Sequence, residues 1–578
     1  MLFSLLMGAI SAYRVMQVAA PPLPDQMVLY LEFEDGLEEV PKASGFADPF
    51  SAGQPTLRDV IAAIDGATSD PRVQGIFARF DQGNFALAHV QEVREAIKRF
   101  RASGKFAYIY SPSYGDGGGF GGYYLASAFE EIWMQPMGVV SIAGLNAEMP
   151  FLRTAMDKIG VTPQFFHRKE YKTAYESLTN TEMSPENRAM TQRLVDDMRA
   201  EFTRDIPADR GFSHAAFEGL VNKGLFTAKE AESAKLITKV DYADVLVDNI
   251  VEKVTGNRES EEEVFVALKT YIADLHKKPL INDPAAAERP KIALVYAVGA
   301  IMSTGEGNSG IAAADEIAPA ILEAGDNEDI KAIVLRIDSP GGSPVASESI
   351  LRAIERAQGK GKKVIVSMGP TAASGGYWIA AYADRIFAMP TTLTGSIGVV
   401  GGKFALKDLW EKMGVNWDSV KWGENAAMWS FNTPFTESEA LRFNVMLDQI
   451  YDGFVERVAK GRKMKPEDVE KIAGGRVWTG TRAVQVGLVD EIGSLAQAMD
   501  YTARLLGAAD RAGMDVVIMP EPKSALDQIL EFLGEQGSVY EGMKWHKAMI
   551  EMFGPVLQQA AMMKDSGAAL TYEPLRVE

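Results

Sequence analysis

The chain contains no cysteine and few histidines among its 578 residues. Without cysteine it can form no disulfide and no thiolate metal site, and it has no cysteine nucleophile. The five histidines are His89, His167, His214, His276 and His546. None belongs to a His-Glu-x-x-His pair, and five scattered imidazoles offer little material for a metal cluster. We therefore predict a protein without a metal cofactor.

The sequence also lacks the glycine-rich loops that bind phosphate groups. It has neither Gly-x-x-x-x-Gly-Lys-Ser/Thr nor a Gly-x-Gly-x-x-Gly that opens a helix after a strand. Positive charge is in deficit, because 59 lysines and arginines face 78 aspartates and glutamates, for a net charge of −19. A chain of this charge is not expected to bind nucleic acid. We expect no organic cofactor and no nucleic-acid partner.

Long hydrophobic runs are scarce, and the N-terminal segment comes nearest to one. Residues 1–13 carry no charge, but Arg14 interrupts what would otherwise be about twenty apolar residues, the length that crosses a bilayer. The basic start that is typical of signal peptides is absent. We interpret residues 1–24 as a complete or truncated membrane anchor that ends in the stiff spacer Pro21-Pro22-Leu23-Pro24. The alternative is an amphipathic or buried first helix.

The chain repeats one order of predicted elements, which indicates a tandem duplication. The predicted strands are 27–33, 76–80 and 106–110 in the first half, and 292–297, 332–337 and 364–367 in the second. Amphipathic helical patterns separate them, so each half is predicted to be an α/β domain with a parallel sheet and helices packed outside. Asp81 and Asp338 lie 257 positions apart. After a loop that is three residues longer in the first half, Pro136 and Pro390 lie 254 apart.

The predicted domain organisation follows from this repeat. The segments are an anchor with spacer at 1–24, a first domain at 25–256, a linker at 257–290, a second domain at 291–510 and a tail at 511–578. The charged, proline-bearing linker includes one predicted helix, Glu263 to His276. The tail begins with a strand-like run, Val516 to Met519, and two helical patterns, 524–532 and 540–563, follow it. In each half a long helix is predicted to begin after a capping residue, Ser184 or Thr436.

The most informative stretch of the second half runs from Gly369 to Ala380. A buried strand is predicted just before it, and a helix rich in alanine and aromatic residues is predicted from Tyr377 to Tyr382. Ser374 therefore sits on a strand-to-helix turn, with Gly375 directly behind it. Such a turn exposes a side-chain oxygen and leaves backbone N–H groups unpaired, as a nucleophile and an oxyanion hole require. The simpler interpretation is that Ser374 caps an ordinary helix.

The two copies differ at the positions that bear on this chemistry. Ser374 pairs with Phe120 at the offset of 254, so only the second copy has the hydroxyl. The loop Asp338-Ser339-Pro340-Gly341-Gly342 has no Pro-Gly-Gly counterpart in the first copy. Its glycines would let a backbone N–H approach a substrate carbonyl. Conversely, Lys172 of the first copy pairs with Ala426, so one copy offers a serine and the other a lysine.

A serine at neutral pH needs a base to accept its proton. No histidine occupies a motif that would supply one, and no Ser/His/Asp order is recognisable. A buried lysine can serve, because desolvation can lower the pKa of a lysine to about 5–6. Tyr171, Ala174 and Tyr175 surround Lys172 and fit a partly apolar site. Taken alone, Lys172 would be interpreted as an exposed surface lysine, and its pairing with a serine confined to the other copy favours the catalytic interpretation.

Five motifs in the two halves share one pattern with a known family. They are Tyr171-Lys172-Thr173-Ala174-Tyr175-Glu176, Met183-Ser184-Pro185, Asp338-Ser339-Pro340-Gly341-Gly342, Ala372-Ala373-Ser374-Gly375-Gly376-Tyr377-Trp378 and Leu393-Thr394-Gly395-Ser396-Ile397-Gly398. With them, residues 27–510 resemble the long, duplicated form of signal peptide peptidase A, the membrane-bound protease IV of bacteria. The resemblance implies a crotonase-like or Clp-protease-like spiral fold with a Ser/Lys dyad divided between two domains. It also implies membrane anchoring and a bowl-shaped homo-oligomer of four subunits.

By position, the resemblance implies that Ser374 is the nucleophile and Lys172 the general base. The residues whose backbone N–H groups would form the oxyanion hole are Gly341 or Gly342 together with Gly375. Ser396 would hydrogen-bond the lysine and orient its amine; the alternative is an ordinary residue of a turn at the end of a strand. The tail beyond residue 511 shows no motif of the family.

The implied function is a serine endopeptidase that hydrolyses hydrophobic peptides, such as cleaved signal peptides, in or at the membrane through an acyl-enzyme. The implied location is the periplasmic side of the bacterial inner membrane. Two other functions stay open. A crotonase-type acyl-CoA enzyme would share the fold and the glycine loop but would use a positioned carboxylate and not Lys172. An inactive membrane scaffold on the same fold would need neither Ser374 nor Lys172.

Overall fold

The computed structural model describes eight stretches of the chain, residues 23–33, 37–40, 55–81, 85–115, 120–260, 263–275, 289–305 and 310–520. The predicted anchor lies outside the described residues apart from positions 23 and 24. Both helical patterns of the predicted tail lie outside them as well. Within the described stretches, no helix is both long enough and apolar enough to span a bilayer.

The first copy folds around a parallel sheet. Its strands are β1 (Met27–Phe33), β2 (Val73–Phe80), β3 (Phe106–Ser111), β4 (Glu131–Met134), β5 (Val139–Ser141), β6 (Thr162–His167), β7 (Leu225–Thr227), β8 (Lys239–Val240) and β9 (Phe265–Ala267). Its helices are α1 (Leu57–Ser69), α2 (Leu87–Ala102), α3 (Phe120–Ser127), α4 (Arg153–Ile159), α5 (Glu176–Thr179), α6 (Pro185–Arg210), α7 (His214–Lys223), α8 (Ala228–Ser233), α9 (Ala243–Thr255) and α10 (Leu268–Leu275). Six of the strands form one sheet in the order β8-β4-β3-β2-β1-β9.

The second copy repeats this plan. Its strands are β10 (Lys291–Val298), β11 (Ala300–Met302), β12 (Ile311–Ala313), β13 (Ile330–Ser339), β14 (Lys363–Ala373), β15 (Arg385–Ala388), β16 (Leu393–Gly395), β17 (Val400–Ala405), β18 (Val477–Thr479), β19 (Glu491–Ile492) and β20 (Asp515–Met519). Its helices are α11 (Ala314–Asp326), α12 (Pro344–Gly359), α13 (Gly375–Ala380), α14 (Lys407–Met413), α15 (Glu437–Arg462), α16 (Pro466–Ile472), α17 (Gly480–Gln485) and α18 (Leu495–Leu505). The strands β19-β15-β14-β13-β10-β20 are neighbours in this order. Strand β16 pairs in parallel with the last residues of β14 and antiparallel with β18.

The two sheets have the same strand order, so the predicted duplication and the parallel α/β architecture are confirmed. Each sheet also gains an edge strand from a segment that follows the predicted domain. Strand β9 lies in the predicted linker, where Val266 pairs with Leu29 and enters the core, and the predicted linker helix therefore begins only at Leu268. Strand β20 lies in the predicted tail and pairs with β10.

Local sequence explains where the two long helices begin. The Ser184 side chain accepts the N–H of Asn187 at the start of α6. Thr436 and Glu439 form a reciprocal capping box at the start of α15. These caps satisfy N–H groups that have no partner within the helix. Both helices run for 26 residues, and both predicted starts are confirmed.

The two copies are joined by a strand pair and by apolar side chains. Strand β6 of the first copy pairs antiparallel with β17 of the second. On α6, Met190 and Leu194 pack against Val477 of β18. These contacts place the segment after β6 against the carboxyl ends of the second sheet, so residues of both copies can meet there.

One ionic contact between the copies is entirely buried. Arg336 on β13 lies 2.5 Å from Glu39 and 2.6 Å from Glu92 of the first copy, and its side chain is 0% exposed. Burial of a charge costs several kcal/mol, and the attraction between the partners offsets that cost only while both signs are present. The contact therefore makes each copy dependent on the other.

Replacing Arg336 by alanine should lower the free energy of unfolding by about 3–5 kcal/mol, because Glu39 and Glu92 would stay buried without their cation. Arg99→Ala removes one of the two partly exposed arginines that pair with Asp65, the other being Arg511, and is the matched control, with an expected cost of at most about 1 kcal/mol. Urea unfolding followed by circular dichroism measures both values. Equal losses in the two variants would contradict this account of the Arg336 contact.

Candidate active site

Ser374 stands at the strand-to-helix turn that the sequence predicts, between β14 and α13. Its backbone φ is 51°, a region that non-glycine residues rarely adopt and that persists only where surrounding contacts hold it. Two backbone hydrogen bonds of 2.8 Å do so, from Ser374 N to Gly395 O and from Trp378 N to Ser374 O. The Ser374 side chain makes no capping hydrogen bond to the helix. The simple helix-cap interpretation is therefore excluded.

Lys172 lies between β6 and α5 of the first copy and is 3% exposed. The second copy covers it with a double-glycine turn. Tyr171 N donates to Gly474 O at 3.0 Å, and a Cβ on Gly475 would lie 2.4 Å from Lys172 N. A Cβ on Gly398 would lie 3.2 Å from Lys172 Cδ. Because these glycines carry no side chain, the second copy closes directly over the lysine, and Lys172 is not a surface residue.

The structure brings Ser374, Lys172 and Ser396 together within one chain. Lys172 Nζ lies 3.3 Å from Ser374 Oγ, 2.8 Å from Ser396 Oγ and 3.0 Å from Ser396 O. Ser396 has a φ of 50°, and its N–H donates to Arg476 O at 2.7 Å. All three side chains are buried. The amine is therefore placed for proton exchange with a hydroxyl rather than for contact with water.

The loop that contains Gly341 and Gly342 reaches the residue that follows Ser374. A Cβ on Gly375 would lie 3.0 Å from Gly342 N and 3.2 Å from Gly341 Cα. The first N–H of α13 to donate a hydrogen bond along the helix is that of Trp378, so the Gly375 N–H at the start of the helix has no acceptor within it. Across the described stretches, neither the Gly342 N–H nor the Gly375 N–H donates to another group. These two N–H groups are close together and available to an anion.

The structure separates the two glycines that the sequence left as alternatives. The Gly341 N–H donates to Ser339 Oγ at 3.1 Å, which favours Gly342 over Gly341 as the expected donor to an oxyanion. The backbone of Ile301 fixes the loop through two hydrogen bonds of 2.8 Å. Its N–H donates to Gly341 O, and its carbonyl accepts the N–H of Ser343. A Cβ on Gly342, whose φ is 155°, would lie 2.1 Å from Ile301 O. Only glycine allows this approach.

One group among the described residues has the composition of a metal site. Oxygens of Glu39 and Asp338 and a ring nitrogen of His89 lie within 4.8 Å of one another. His89 Nε2 is hydrogen-bonded to Glu39 Oε1 at 2.8 Å, and Arg336 Nε lies 3.0 Å from both Glu39 oxygens. The guanidinium already supplies positive charge at Glu39. These residues form an ion-pair cluster rather than a set of cation ligands.

Sequence reasoning missed Gly474 and Gly475, which cover Lys172, because they stand about 300 positions away from it in the chain. The double glycine at Gly474-Gly475 was the available signal, and it predicts a tight turn without indicating what packs on it. It also missed Ile301, the support of the Gly342 loop, which belongs to a short strand outside the main sheet. Both roles depend on how distant segments dock.

A model of Peptidase family S49 matches residues 101–255 and again residues 356–508. The two matches fall at corresponding places, one in each copy. Together they cover more than half of the chain, which supports the duplication independently of the strand order.

Curated relatives are similar over most of the chain. Protease 4 of Haemophilus influenzae is 33% identical over 464 residues, 78% of this chain and 72% of its own. Protease 4 of Salmonella typhi is 34% identical over 462 residues with the same coverage. The chloroplastic serine protease SPPA of Arabidopsis thaliana is 30% identical over 475 residues, 81% of this chain and 68% of its own. Among solved structures, a mutant ClpP1 of Listeria monocytogenes aligns with 36% of this chain and 94% of its own, at 15% identity and a TM-score of 0.24.

Gly475→Ala should reduce hydrolysis of a fluorogenic peptide by about 10- to 100-fold, because the new Cβ would displace Lys172 from Ser374. Gly487→Ala is the matched control. Its φ of 80° resembles the 86° of Gly475, but a Cβ there meets nothing within 4 Å in the described structure. Both variants share the backbone strain, and only one touches the lysine. Equal activities, measured as kcat/KM beside the melting temperature, would argue against the packing role of Gly475.

Proposed function

The chain belongs to peptidase family S49 and is a serine-type peptidase, and on this premise we propose that Ser374 is its nucleophile and Lys172 its general base. One observation carries the proposal. Lys172 Nζ lies 3.3 Å from Ser374 Oγ, although the residues stand 202 positions apart and belong to different copies. Hydrogen-bond reach between nucleophile and base is the geometric requirement for such a pair.

Burial favours the neutral, basic form of Lys172. An amine that is removed from water loses the hydration that stabilises its ammonium form, and Lys172 is 3% exposed. A neutral amine has two N–H bonds and one lone pair. With the N–H bonds donated to Ser396 O and Oγ, the lone pair faces the Ser374 hydroxyl. In this proposal Ser396 orients the base.

The proposed reaction is acyl transfer in two stages. Lys172 takes the proton of Ser374 as Oγ attacks the peptide carbonyl, and the oxyanion accepts hydrogen bonds from the N–H groups of Gly342 and Gly375. The lysine ammonium then protonates the leaving amine, the C–N bond breaks, and an ester of Ser374 remains. Water that loses a proton to Lys172 attacks this ester and releases the acid and the free serine. Each oxyanion donor in such a site is typically worth about 2.7–4 kcal/mol.

The proposed fold of each copy is the crotonase-like or Clp-protease-like spiral. The proposed substrates are hydrophobic peptides, including cleaved signal peptides. An apolar cluster beside the oxyanion loop supports this substrate class. Met302, next to the Ile301 that holds the loop, packs with the partly buried Phe165, Ala300 and Ile311. Phe165 belongs to the first copy and the others to the second. Apolar substrate side chains would therefore meet a surface built by both copies.

The membrane location is proposed on two grounds. The family resemblance implies it, and residues 1–13 carry no charge, although they lie outside the described residues. The two domains would act on the periplasmic side of a bacterial inner membrane, close to the lipid that holds hydrophobic peptides. Two of the relatives compared above are bacterial proteins, and the third is a chloroplast protein.

Two other functions would use similar parts. A crotonase-type acyl-CoA enzyme would need a positioned carboxylate but not Lys172, and an inactive scaffold would need neither Lys172 nor Ser374. The contact between these two residues and the family match both favour a peptidase. Turnover of a CoA thioester that survives Ser374→Ala would favour the acyl-CoA enzyme instead.

A homo-oligomer in which chains join head to tail also belongs to the proposal. Some residues of the second copy are buried where it contacts the first copy. The residues at the equivalent positions of the first copy are exposed. Val477 is 7% exposed against α6, whereas its counterpart at the start of β7, Leu225, is 58% exposed. Thr391 is 4% exposed beside Gln91, whereas its counterpart Met137 is 88% exposed. A second chain would cover these apolar side chains.

The strand pair between the copies shows the same asymmetry. Gly160 O, just before β6, accepts Leu409 N at 2.9 Å, whereas a Cβ on its counterpart Gly414 meets nothing within 4 Å in the described structure. A shift of 254 positions takes β6 to residues 416–421 and β17 to residues 146–151, and neither stretch lies in a strand. We expect residues 416–421 of one chain to pair with residues 146–151 of the next. Such a heterologous contact builds a ring when its rotation closes, and the resemblance implies four subunits.

Ser374→Ala and Lys172→Ala should each lower kcat about 10³-fold or more, and the double variant should be no slower, because the two residues act as one unit. Ser396→Ala should cost about 10-fold or more by releasing the amine. Lys169→Ala, at an exposed lysine three residues from Lys172, is the control and should keep full activity. The assay is hydrolysis of a fluorogenic peptide with apolar residues before the scissile bond, with circular dichroism as a check of folding. Retained activity in Lys172→Ala would refute the base assignment.

Leu225→Lys should reduce the number of subunits in the assembly, because a charge would enter the apolar contact proposed between chains. Leu505→Lys is the control. Leu505 is 45% exposed, and its counterpart in the first copy is already a lysine, Lys253. Sedimentation velocity of the full chain measures the mass. A monomeric wild type, or an unchanged mass in Leu225→Lys, would rule out this contact.

A further inference from the structure

A cluster of charged side chains lies where the first copy meets the strands that lead to Ser374. Arg336 on β13 contacts Glu39, from the segment after β1, and Glu92 on α2. Its guanidinium also donates to Ser367 Oγ on β14 at 2.9 Å. His89 on α2 is hydrogen-bonded to Glu39. The first copy thus contributes two carboxylates and one imidazole to a cluster at β13 and β14. The catalytic steps proposed above use none of these three groups.

Asp338 follows Arg336 on the same strand and makes a different contact. Its carboxylate accepts Thr371 N at 3.0 Å. The register between β13 and β14 breaks here, because Ile337 pairs with Met368 whereas Ser339 pairs with Ala372. The bond therefore bridges an irregular stretch in which no regular ladder holds the two strands.

The position of this bond links the two parts of the proposed oxyanion site. Thr371 stands three residues before Ser374, and Asp338 stands four residues before Gly342. A hydrogen bond between Asp338 and Thr371 fixes the start of one loop against the start of the other. A displacement of 1 Å at a reacting centre can cost about 100-fold in rate, so this alignment matters for catalysis.

The protonation states of the Glu39 and Asp338 carboxyls at neutral pH are consistent with these contacts. Burial alone would raise the pKa of the Glu39 carboxyl, but Arg336 and His89 outweigh it and lower the pKa to about 2. Burial and the charge of Glu39 raise the pKa of Asp338 to about 6. Both carboxyls are therefore mainly anionic, and an anionic acceptor makes the stronger hydrogen bond to Thr371.

The first copy shows what the same strand does without such a partner. Arg79 and Asp81 are the counterparts of Arg336 and Asp338 at the offset of 257. Arg79 forms an ion pair with Asp81, with Nε 3.1 Å from both carboxylate oxygens. The two side chains are 39% and 32% exposed. In the second copy, Glu39 takes the arginine instead, and Asp338 keeps its carboxylate for Thr371.

We propose that Glu39 and Asp338 are positioning residues: Glu39 holds Arg336 away from Asp338, so that Asp338 stays bonded to Thr371 and aligns the Gly342 loop with the Ser374 turn. Gly369 fits this role, since a Cβ there would lie 2.9 Å from Glu39 Oε1 and would keep the carboxylate out. The inference deepens the proposed peptidase function and rests on it, because it assigns these residues a part in that reaction.

The first test compares two substitutions at Asp338. Asp338→Ala removes the acceptor and should lower kcat by about 10- to 100-fold with KM within about 3-fold. Asp338→Asn keeps an acceptor oxygen of the same shape and should stay within about 3-fold of wild type. Asp384→Ala is the matched control, because Asp384 accepts the backbone N–H of Val364 at the other end of β14. A normal kcat in Asp338→Ala, an equal loss in Asp338→Asn, or an equal loss in Asp384→Ala would overturn the proposal.

The second test asks whether Glu39 acts through Asp338. Glu39→Gln should lower kcat as Asp338→Ala does, because Arg336 would turn to Asp338 as Arg79 turns to Asp81. The double variant Glu39→Gln with Asp338→Ala should be no slower than Asp338→Ala alone. Multiplied losses in the double variant would show that Glu39 acts independently and would overturn its assignment. If Glu39→Gln fails to fold, the pair of substitutions at Asp338 still decides the role of the bond.

A third readout does not depend on turnover. Amide hydrogen exchange of the segment 369–374, followed by mass spectrometry, should rise in Asp338→Ala and stay at the wild-type level in Asp338→Asn and in Asp384→Ala. Exchange that does not change in Asp338→Ala would refute the bond itself. A wild type that exchanges as expected but hydrolyses no peptide would refute the proposed function while leaving the alignment of the loops supported.

Discussion

The structure depends on the burial of one amine between two copies of the same fold. Lys172 projects from the first copy, and the second copy supplies Ser374, both Ser396 oxygens and the glycine turn that closes over it. On a separate domain this lysine would remain hydrated and charged, and it could not accept a proton at neutral pH. In the proposed mechanism, docking of the copies is what allows Lys172 to act as a base. The β6–β17 pair, the α6–β18 contact and the Arg336 cluster all hold that docking in place.

Divergence of the copies explains why one site exists where the duplication could have produced two. At the position of Ser374 the first copy has Phe120, which stacks on Phe202 in the core with ring centroids 4.7 Å apart. At the position of Lys172 the second copy has the exposed Ala426. Each position that corresponds to a proposed catalytic residue of the other copy is thus an ordinary part of the core or the surface. Apolar contact in a core stabilises a domain without the desolvation cost that a buried amine or hydroxyl carries.

Local patterns in the sequence were sufficient for the elements and for the proposed catalytic residues, but not for the contacts between copies. Alternation and capping predicted the strands and the two long helices, and the motifs around Ser374, Lys172 and Ser396 brought these residues to notice. The choice between Gly341 and Gly342 could not be made, because it depends on which N–H donates to Ser339. The edge strand β9 has only three residues, too few for a pattern to stand out, whereas the run from Val516 to Met519 predicted β20.

The contacts that join the copies could not be predicted either, because the residues that form them are far apart in the chain. Glu39 and Arg336 stand 297 positions apart, and neither residue has a local neighbour that indicates its partner. A charged residue in a predicted strand is ordinarily interpreted as an exposed one, as Arg79 is in the first copy. The same sequence pattern, Arg-x-Asp at the end of a strand, is buried in one copy and partly exposed in the other. Docking, rather than the local sequence, decides between these outcomes.

The duplication also determines what a head-to-tail assembly would contain. A junction within a chain joins Lys172 of the first copy to Ser374 of the second. A junction between chains, built by the same contacts, would place Ala426 of one chain near Phe120 of the next and would hold neither a base nor a nucleophile. Such a ring would alternate catalytic junctions with structural ones, and the number of sites would equal the number of chains. The structural junctions would be free of the demands of catalysis, so their apolar residues, Leu225 and Met137 among them, would serve only to hold the chains together.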